Sequence, residues 1–69
     1  MVIQFNGIRI NFNNVLYYQE KIDSYSNYSI YMKLISGESF NFISDKFKTQ
    51  NTLKLIDDAI INNNPFLKI

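Results

Sequence analysis

The sequence predicts an α+β domain: a small antiparallel meander sheet of about five strands covered by one C-terminal helix, in the order β-β-β-β-β-α. Three observations carry this. Asn6-Gly7 stands between two alternating apolar runs, residues 1–5 and 8–12. A third alternating run, residues 28–35, leads through Gly37 to the apolar pair Phe40 and Phe42. Beyond Ser44 the period lengthens, and Leu53, Ile56 and Ile60 recur at helical spacing with Ala59 beside them.

The first hairpin follows from its turn. A two-residue type I′ turn needs φ > 0 at both central positions, and Asn-Gly adopts that at least steric cost. Phe5 then pairs with Ile8, Ile3 with Ile10 and Met1 with Phe12. One face is apolar and the other carries Gln4, Arg9 and Asn11. Asn13-Asn14 is the next turn signal, before a β-prone run over residues 15–22. Simple alternation there puts Val15 and Tyr17 on one face, Leu16 and Tyr18 on the other. Residues 23–27, rich in turn formers, read as an exposed loop.

In the run 28–35, Tyr28, Ile30, Met32 and Leu34 share one face, while Ser29, Tyr31, Lys33 and Ile35 share the other. A three-residue loop, Ile35-Ser36-Gly37, places Gly37 in the left-handed conformation such loops want, and pairs Met32 with Phe40 and Ile30 with Phe42. The helix is expected over about residues 49–62. Thr49 and Asn51 are candidate N-caps, and Ser44 or Asp45 would start it earlier. Asn62-Asn63-Asn64-Pro65 ends it, since Asn tolerates a left-handed backbone and Pro cannot continue a helix. The tail, residues 65–69, adds an edge strand or docks as an extended segment. The helix stripe is narrow. Two apolar faces, Ile3, Phe5, Ile8 and Ile10 against Ile30, Met32, Phe40 and Phe42, compete for it, so either the sheet curls over both or one set meets a partner.

Sixty-nine residues make one domain, and a chain of that length buries only about 60% of its unfolded surface. Cys and His are both absent. Disulfides are excluded, and the usual nucleophile–base pairs and structural zinc sites lose their ligands. The formal net charge of +1 gives no strong steering toward DNA or anionic membranes. No stretch approaches the roughly 18 apolar residues of a membrane span, and the start lacks the basic region of a signal peptide, so a cytoplasmic location is expected. Hydrophobic residues are 46% and aromatics 16%, a surplus that must enter a core, an interface or both. Heavy use of Asn, Ile, Lys, Tyr and Phe looks like the codon bias of an AT-rich genome, as in a bacterium, phage or mobile element.

Catalysis is not expected, and no cofactor or metal site is. The acids Glu20, Asp23, Glu38, Asp45, Asp57 and Asp58 fall at turns or on a polar helix face. Both glycines, Gly7 and Gly37, serve turns, which leaves none for a phosphate loop. Lys46, Lys48 and Lys54 near the helix start form a candidate phosphate-contacting group, although Asp45, Asp57 and Asp58 lie close by. The five tyrosines are the stronger candidates. Tyr28 and one of Tyr17 or Tyr18 are assigned to the core, and Tyr25, Tyr31 and the remaining one to the surface beside Ile35. Tyr17, Tyr18, Tyr25, Tyr31 and Ile35 are therefore the candidate partner-binding set. Exposed tyrosines on a sheet serve protein contact or base stacking alike.

Val15-Leu16-Tyr17-Tyr18-Gln19-Glu20 resembles the early strand of LytTR-type DNA-binding domains, with its I-L-Y-I-E pattern. A glycine-turn hairpin and a helix follow in that family, as Gly37 and the helix do here. Asn64-Pro65-Phe66-Leu67-Lys68-Ile69 is similar to its post-helix F-x-R-I/V segment. The likeness spans about residues 10–69 and only the first part of the family domain. The family's His-Arg-Ser stretch and later DNA-contacting strands have no counterpart, so no DNA-contact residue carries over. The element order is also similar to small FlbD-like proteins and to pleckstrin-homology-like caps. The leading expectation is a non-enzymatic protein-interaction module, self-associating or binding a protein partner, of which a phage or mobile-element regulator or inhibitor of a host protein is one kind. The alternative is a minimal nucleic-acid-binding transcriptional regulator.

Overall fold

Asn6 and Gly7 take φ of 46° and 83°, the left-handed pair that a type I′ turn requires. The computed structural model, which describes residues 1–69, accordingly opens with an antiparallel hairpin of β1 (Val2–Phe5) and β2 (Ile8–Asn11). Phe5 pairs with Ile8 and Ile3 with Ile10. The Phe12 amide donates to the Met1 carbonyl at 2.8 Å, which extends the pairing by one rung. Ile3, Phe5 and Ile10 are buried, while Ile8 beside the turn is exposed. Asn11 then caps a 3₁₀ turn, Phe12–Asn14, by accepting the Asn13 amide.

β3 (Val15–Ile22), β4 (Tyr28–Leu34) and β5 (Ser39–Ser44) form a second antiparallel sheet with β4 in the centre. The β4–β5 connection is the expected three-residue loop. The Leu34 amide donates to the Glu38 carbonyl at 2.9 Å, with Gly37 at φ 95°. Met32 pairs with Phe40 and Ile30 with Phe42. β3 departs from simple alternation, because its register shifts between Val15 and Tyr17. Val15 opposes Leu34, Tyr17 opposes Lys33, and Leu16 is the extra residue of a β-bulge. One inserted residue reverses parity. Val15 therefore joins Tyr18 on the inner face, which corrects the expected grouping of Val15 with Tyr17; both pack against the core.

The class is α+β as expected, but the strands divide into two three-stranded sheets instead of one meander. The chain's last strand, β6 (Phe66–Lys68), lies parallel to β1 and completes the order β2-β1-β6. The Val2 amide donates to the Pro65 carbonyl and the Ile69 amide to the Gln4 carbonyl, each at 2.9 Å. The competition for the helix is thereby resolved. The inner faces of the sheets meet, with Phe5 stacked on Phe42 at 4.0 Å between ring centroids and Phe12 edge-on to Tyr18 at 5.6 Å. Each hairpin's apolar face covers the other, and Ile56 of the helix joins Ile3, Phe5, Ile10, Ile30 and Met32 in one buried cluster.

The helix, α1 (Lys46–Ile61), starts at the earlier of the positions the sequence allows. Asp45 is the N-cap, its Oδ1 accepting the Lys48 amide at 2.7 Å. Thr49 is then a buried helical residue and not a cap, with its hydroxyl 2.7 Å from that of Ser44. The buried row runs Thr49, Thr52, Ile56, Ala59, whereas Ile60 is exposed. Two threonines in that row explain why apolar spacing alone showed a narrow stripe starting late. At the other end Asn63 takes φ 54°, the Asn64 amide donates to the Ala59 carbonyl and the Asn63 amide to that of Ile60. This is a Schellman ending with Asn in the usual glycine position. Lys46 and Lys48 in the first turn, and Asp57 and Asp58 near the end, oppose the helix dipole, which the Asp45 carboxylate partly offsets. No helix is long and apolar enough to cross a membrane.

Candidate functional site

Strand pairing sorts β3, β4 and β5 into an inner and an outer face. Three cross-strand rows point outward: Tyr17–Lys33–Ser39, Gln19–Tyr31–Asn41 and Lys21–Ser29–Ile43. The other sheet and the helix both pack on the inner side, through Phe42, Tyr18 and the buried cluster. Nothing in the chain is stacked on the outer nine. They include two tyrosines, two lysines and no carboxylate.

Tyr17 and Tyr31 lie on neighbouring strands with ring centroids 6.0 Å apart, tilted by 40°. The Lys21 ammonium sits 4.1 Å above the centre of the Tyr31 ring, a cation–π contact. Lys33 donates to the Gly37 carbonyl at 2.8 Å, folding its charge toward the β4–β5 turn. The Tyr31 hydroxyl is held below its ordinary range, first by a hydrogen bond with Ser39. Desolvation opposes this, and the charges of Lys33 and Lys21 and the Tyr17 hydroxyl reinforce it. Ser29 is small and only 7% exposed. The face dips over it into a hollow of about 390 Å³, walled by Lys21, Asn41 and Ile43 and reaching the β3–β4 loop at Asp23 and Asn27. The Asp23 carboxylate on that rim is engaged by the loop. One oxygen accepts the Tyr25 and Asn27 amides at 2.8 and 2.9 Å, and the other accepts the Asn27 side-chain amide at 3.1 Å. These bonds, the Asn27 backbone first, hold its pKa below the usual carboxylate range.

The structure brings Tyr17 and Tyr31 together and separates the rest of the expected set. Tyr18 turns inward, packs on Phe12, and donates its hydroxyl to Asp57 Oδ1 at 2.6 Å. Burial first, then that bond and the carboxylate charge, push its pKa up to about 12. Tyr25 is 85% exposed in the β3–β4 loop and Ile35 is 67% exposed in the β4–β5 turn. They lie at opposite ends of β4, about 20 Å apart at strand spacing. Tyr28 is half-buried beside the hollow. At about 100° per residue, Lys48 and Lys54 point roughly 200° and 80° away from Lys46, so the three do not form one patch. Lys48 instead borders a small space of about 50 Å³ beside Phe42, Thr52 and Ile69. Asp23, Asp45 and Asp57 each hold a loop, a helix start or a tyrosine in place. No three acids come together.

Gln19, Lys21, Lys33, Ser39 and Asn41 were not singled out by sequence reasoning. The alternation of β4 already grouped Ser29 with Tyr31 and Lys33, but their neighbours on β3 and β5 follow only from the pairing register. The two LytTR-like segments fall in β3 and β6, in different sheets. Comparison with protein-family models, with characterised proteins and with solved structures finds no match to this chain.

Proposed function

We propose that this chain is a small non-enzymatic interaction module whose contact surface is the outer face of the β3-β4-β5 sheet. One observation carries the reading. The inner face is covered by both the other sheet and the helix, while an aromatic, cationic and carboxylate-free face stays open. Phe5 and Phe42 belong to or pack against the buried cluster, and Tyr17 and Tyr31 do not. Rings of this kind supply large contact area at low conformational cost. A protein partner, a second copy included, is favoured by the apolar residues around the face: Leu16 at the bulge, Ile35 at the turn and Ile43 on β5, each at least 65% exposed. A regulator or inhibitor of a host protein belongs to that reading. A nucleic-acid partner is favoured by the lysines.

Photo-crosslinking in the source cell tests the surface itself. A photoreactive residue at Asn41, on the outer face, should give specific adducts, and one at exposed Asp58 of the helix should not. Tyr31→Ser should abolish the Asn41 adducts while circular dichroism shows the fold intact. Adducts from Asp58 alone would put the working surface on the helix and end the proposal.

A further inference from the structure

Resting on that reading of the outer face, we infer that its occupant is single-stranded RNA. Tyr17 and Tyr31, on adjacent strands 6.0 Å apart, make a platform for unpaired bases. A duplex hides the base faces that such a platform contacts. Lys21 and Lys33 flank Tyr31 from opposite ends of the face, their backbones about 13 Å apart along the strands, and once Lys33 releases the Gly37 carbonyl that it now holds, the two can reach phosphates on either side of a stacked base. No carboxylate among the nine outer residues opposes them. The Lys21 ammonium now lies over the Tyr31 ring. An exposed cation–π contact is weak, so a phosphate draws the ammonium aside and frees the ring for a base. The hollow over Ser29 adds a recess with room for a base, with Ile43 as an apolar wall, the exposed Asn41 amide as donor and acceptor for a base edge, and the Asp23 carboxylate at its rim engaged by its own loop.

RNA and DNA strands carry the same phosphate charge, so the choice between them rests on neutral groups. Two lysines predict a salt slope of only about −1.4, from roughly −0.7 per phosphate contact on a single strand. Electrostatics is then a minor share, and neutral groups must carry the rest. Gln19, Ser39, Asn41 and the tyrosine hydroxyls are such groups, and each can bond a 2′-hydroxyl that DNA lacks.

Fluorescence anisotropy of the full chain tests this with labelled oligouridine and oligodeoxyuridine of about eight nucleotides and a duplex of the same length. The RNA strand should bind most tightly, the deoxy strand more weakly and the duplex weakest. Affinity should fall about 7-fold between roughly 50 and 200 mM salt. Tyr17→Thr and Tyr31→Thr should each weaken binding by about 10-fold. Lys21→Gln with Lys33→Gln should flatten the salt dependence, and Lys54→Gln should change nothing. Equal or tighter binding to the deoxy strand overturns the RNA assignment. Duplex preference, or no binding to any strand by folded protein, overturns the nucleic-acid reading. Loss of binding in Lys54→Gln but not in the tyrosine variants overturns the site. If RNA fails while the Asn41 crosslinks persist, to another protein or to a second copy seen by light scattering, this inference falls and the interaction surface stands.

Discussion

Replacing Tyr18 by Phe removes one hydroxyl and leaves the ring against Phe12, which isolates the bond that ties β3 to the helix. The hydroxyl donates to Asp57 at 2.6 Å. A hydrogen bond to a charged acceptor contributes about 1.5–3 kcal/mol when desolvated. Asp57 is exposed and Tyr18 only half-buried, so solvent screening lowers this to about 1 kcal/mol. For a domain of this size that corresponds to a fall in Tm of about 4–8 °C. The bond also has a pH signature. The folded pKa of Tyr18 is raised from 10.0 to about 12. Between those values the unfolded chain has released the proton while the native chain holds it, so stability falls as pH rises. The contribution is complete below pH 10 and lost on passing through 12. Two pH units are nominally about 2.7 kcal/mol, which screening brings to about 1 kcal/mol. Urea unfolding of wild type and Tyr18→Phe at pH 7 and near pH 12 measures this, with the other tyrosines and the lysines cancelling in the difference. Wild type should lead by about 1 kcal/mol at pH 7 and by nothing near pH 12. An equally stable variant at pH 7, or a difference that does not change with pH, would refute the reasoning. Burial is the first cause of the shift. Near-ultraviolet titration of Asp57→Asn should therefore return the Tyr18 pKa only part of the way to 10.0.

Other consequences follow from the same contacts. Ile56→Ala, at a fully buried position in the cluster shared by both sheets, should cost about 2–5 kcal/mol. Against a total of about 3–10 kcal/mol for 69 residues this is a large share, and thermal melts followed by circular dichroism should show Tm lowered by at least about 8 °C. Asp45→Ala removes the cap bond to the Lys48 amide and should lower the urea midpoint by the equivalent of about 1 kcal/mol. A midpoint equal to wild type would show that the helix does not depend on its cap. Deleting Leu16 removes the bulge residue, and the ladder is regular without it. The shortened chain should fold, with amide cross-strand contacts by NMR still pairing Tyr17 with Lys33 and Tyr18 with Met32. Asn63→Ala forces a Cβ without a polar partner into φ 54° and should destabilise by about 1 kcal/mol in thermal melts, whereas Asn63→Gly should not.

Local chemistry was readable because it depends on few neighbours. Asn6-Gly7 and Gly37 are dictated by backbone sterics, and their turns set the register of both hairpins without any distant contact. The Asn run that ends the helix works the same way. The helix start was less legible, since the capping oxygen of Asp45 competed with Thr49, and only packing against Ser44 turned Thr49 into a buried side chain. For the candidate site, Tyr17 and Tyr31 were named from residue type, and the outward grouping of Tyr31 with Lys33 came from alternation. Their convergence with Gln19, Lys21 and Asn41 needs three strands in register. Tyr18 joined the same set because nothing in its neighbourhood of sequence reveals that Asp57, thirty-nine residues on, receives its hydroxyl.

Periodicity and turn residues alone determined an α+β chain with two one-sided hairpins and a final helix, because side-chain direction alternates along a strand and repeats every 3.6 residues on a helix. Only the tertiary structure decided how those apolar faces are covered. The 3₁₀ turn after β2 separates the hairpins, β6 returns to extend the first as a parallel edge, and one bulge at Leu16 reverses which residues of β3 look inward. Local residue preferences do not choose between these pairings and their alternatives. The difference lies in burying both apolar faces at once, a property of the assembled chain that no single segment carries. The same choice left the outer face of β3-β4-β5 uncovered.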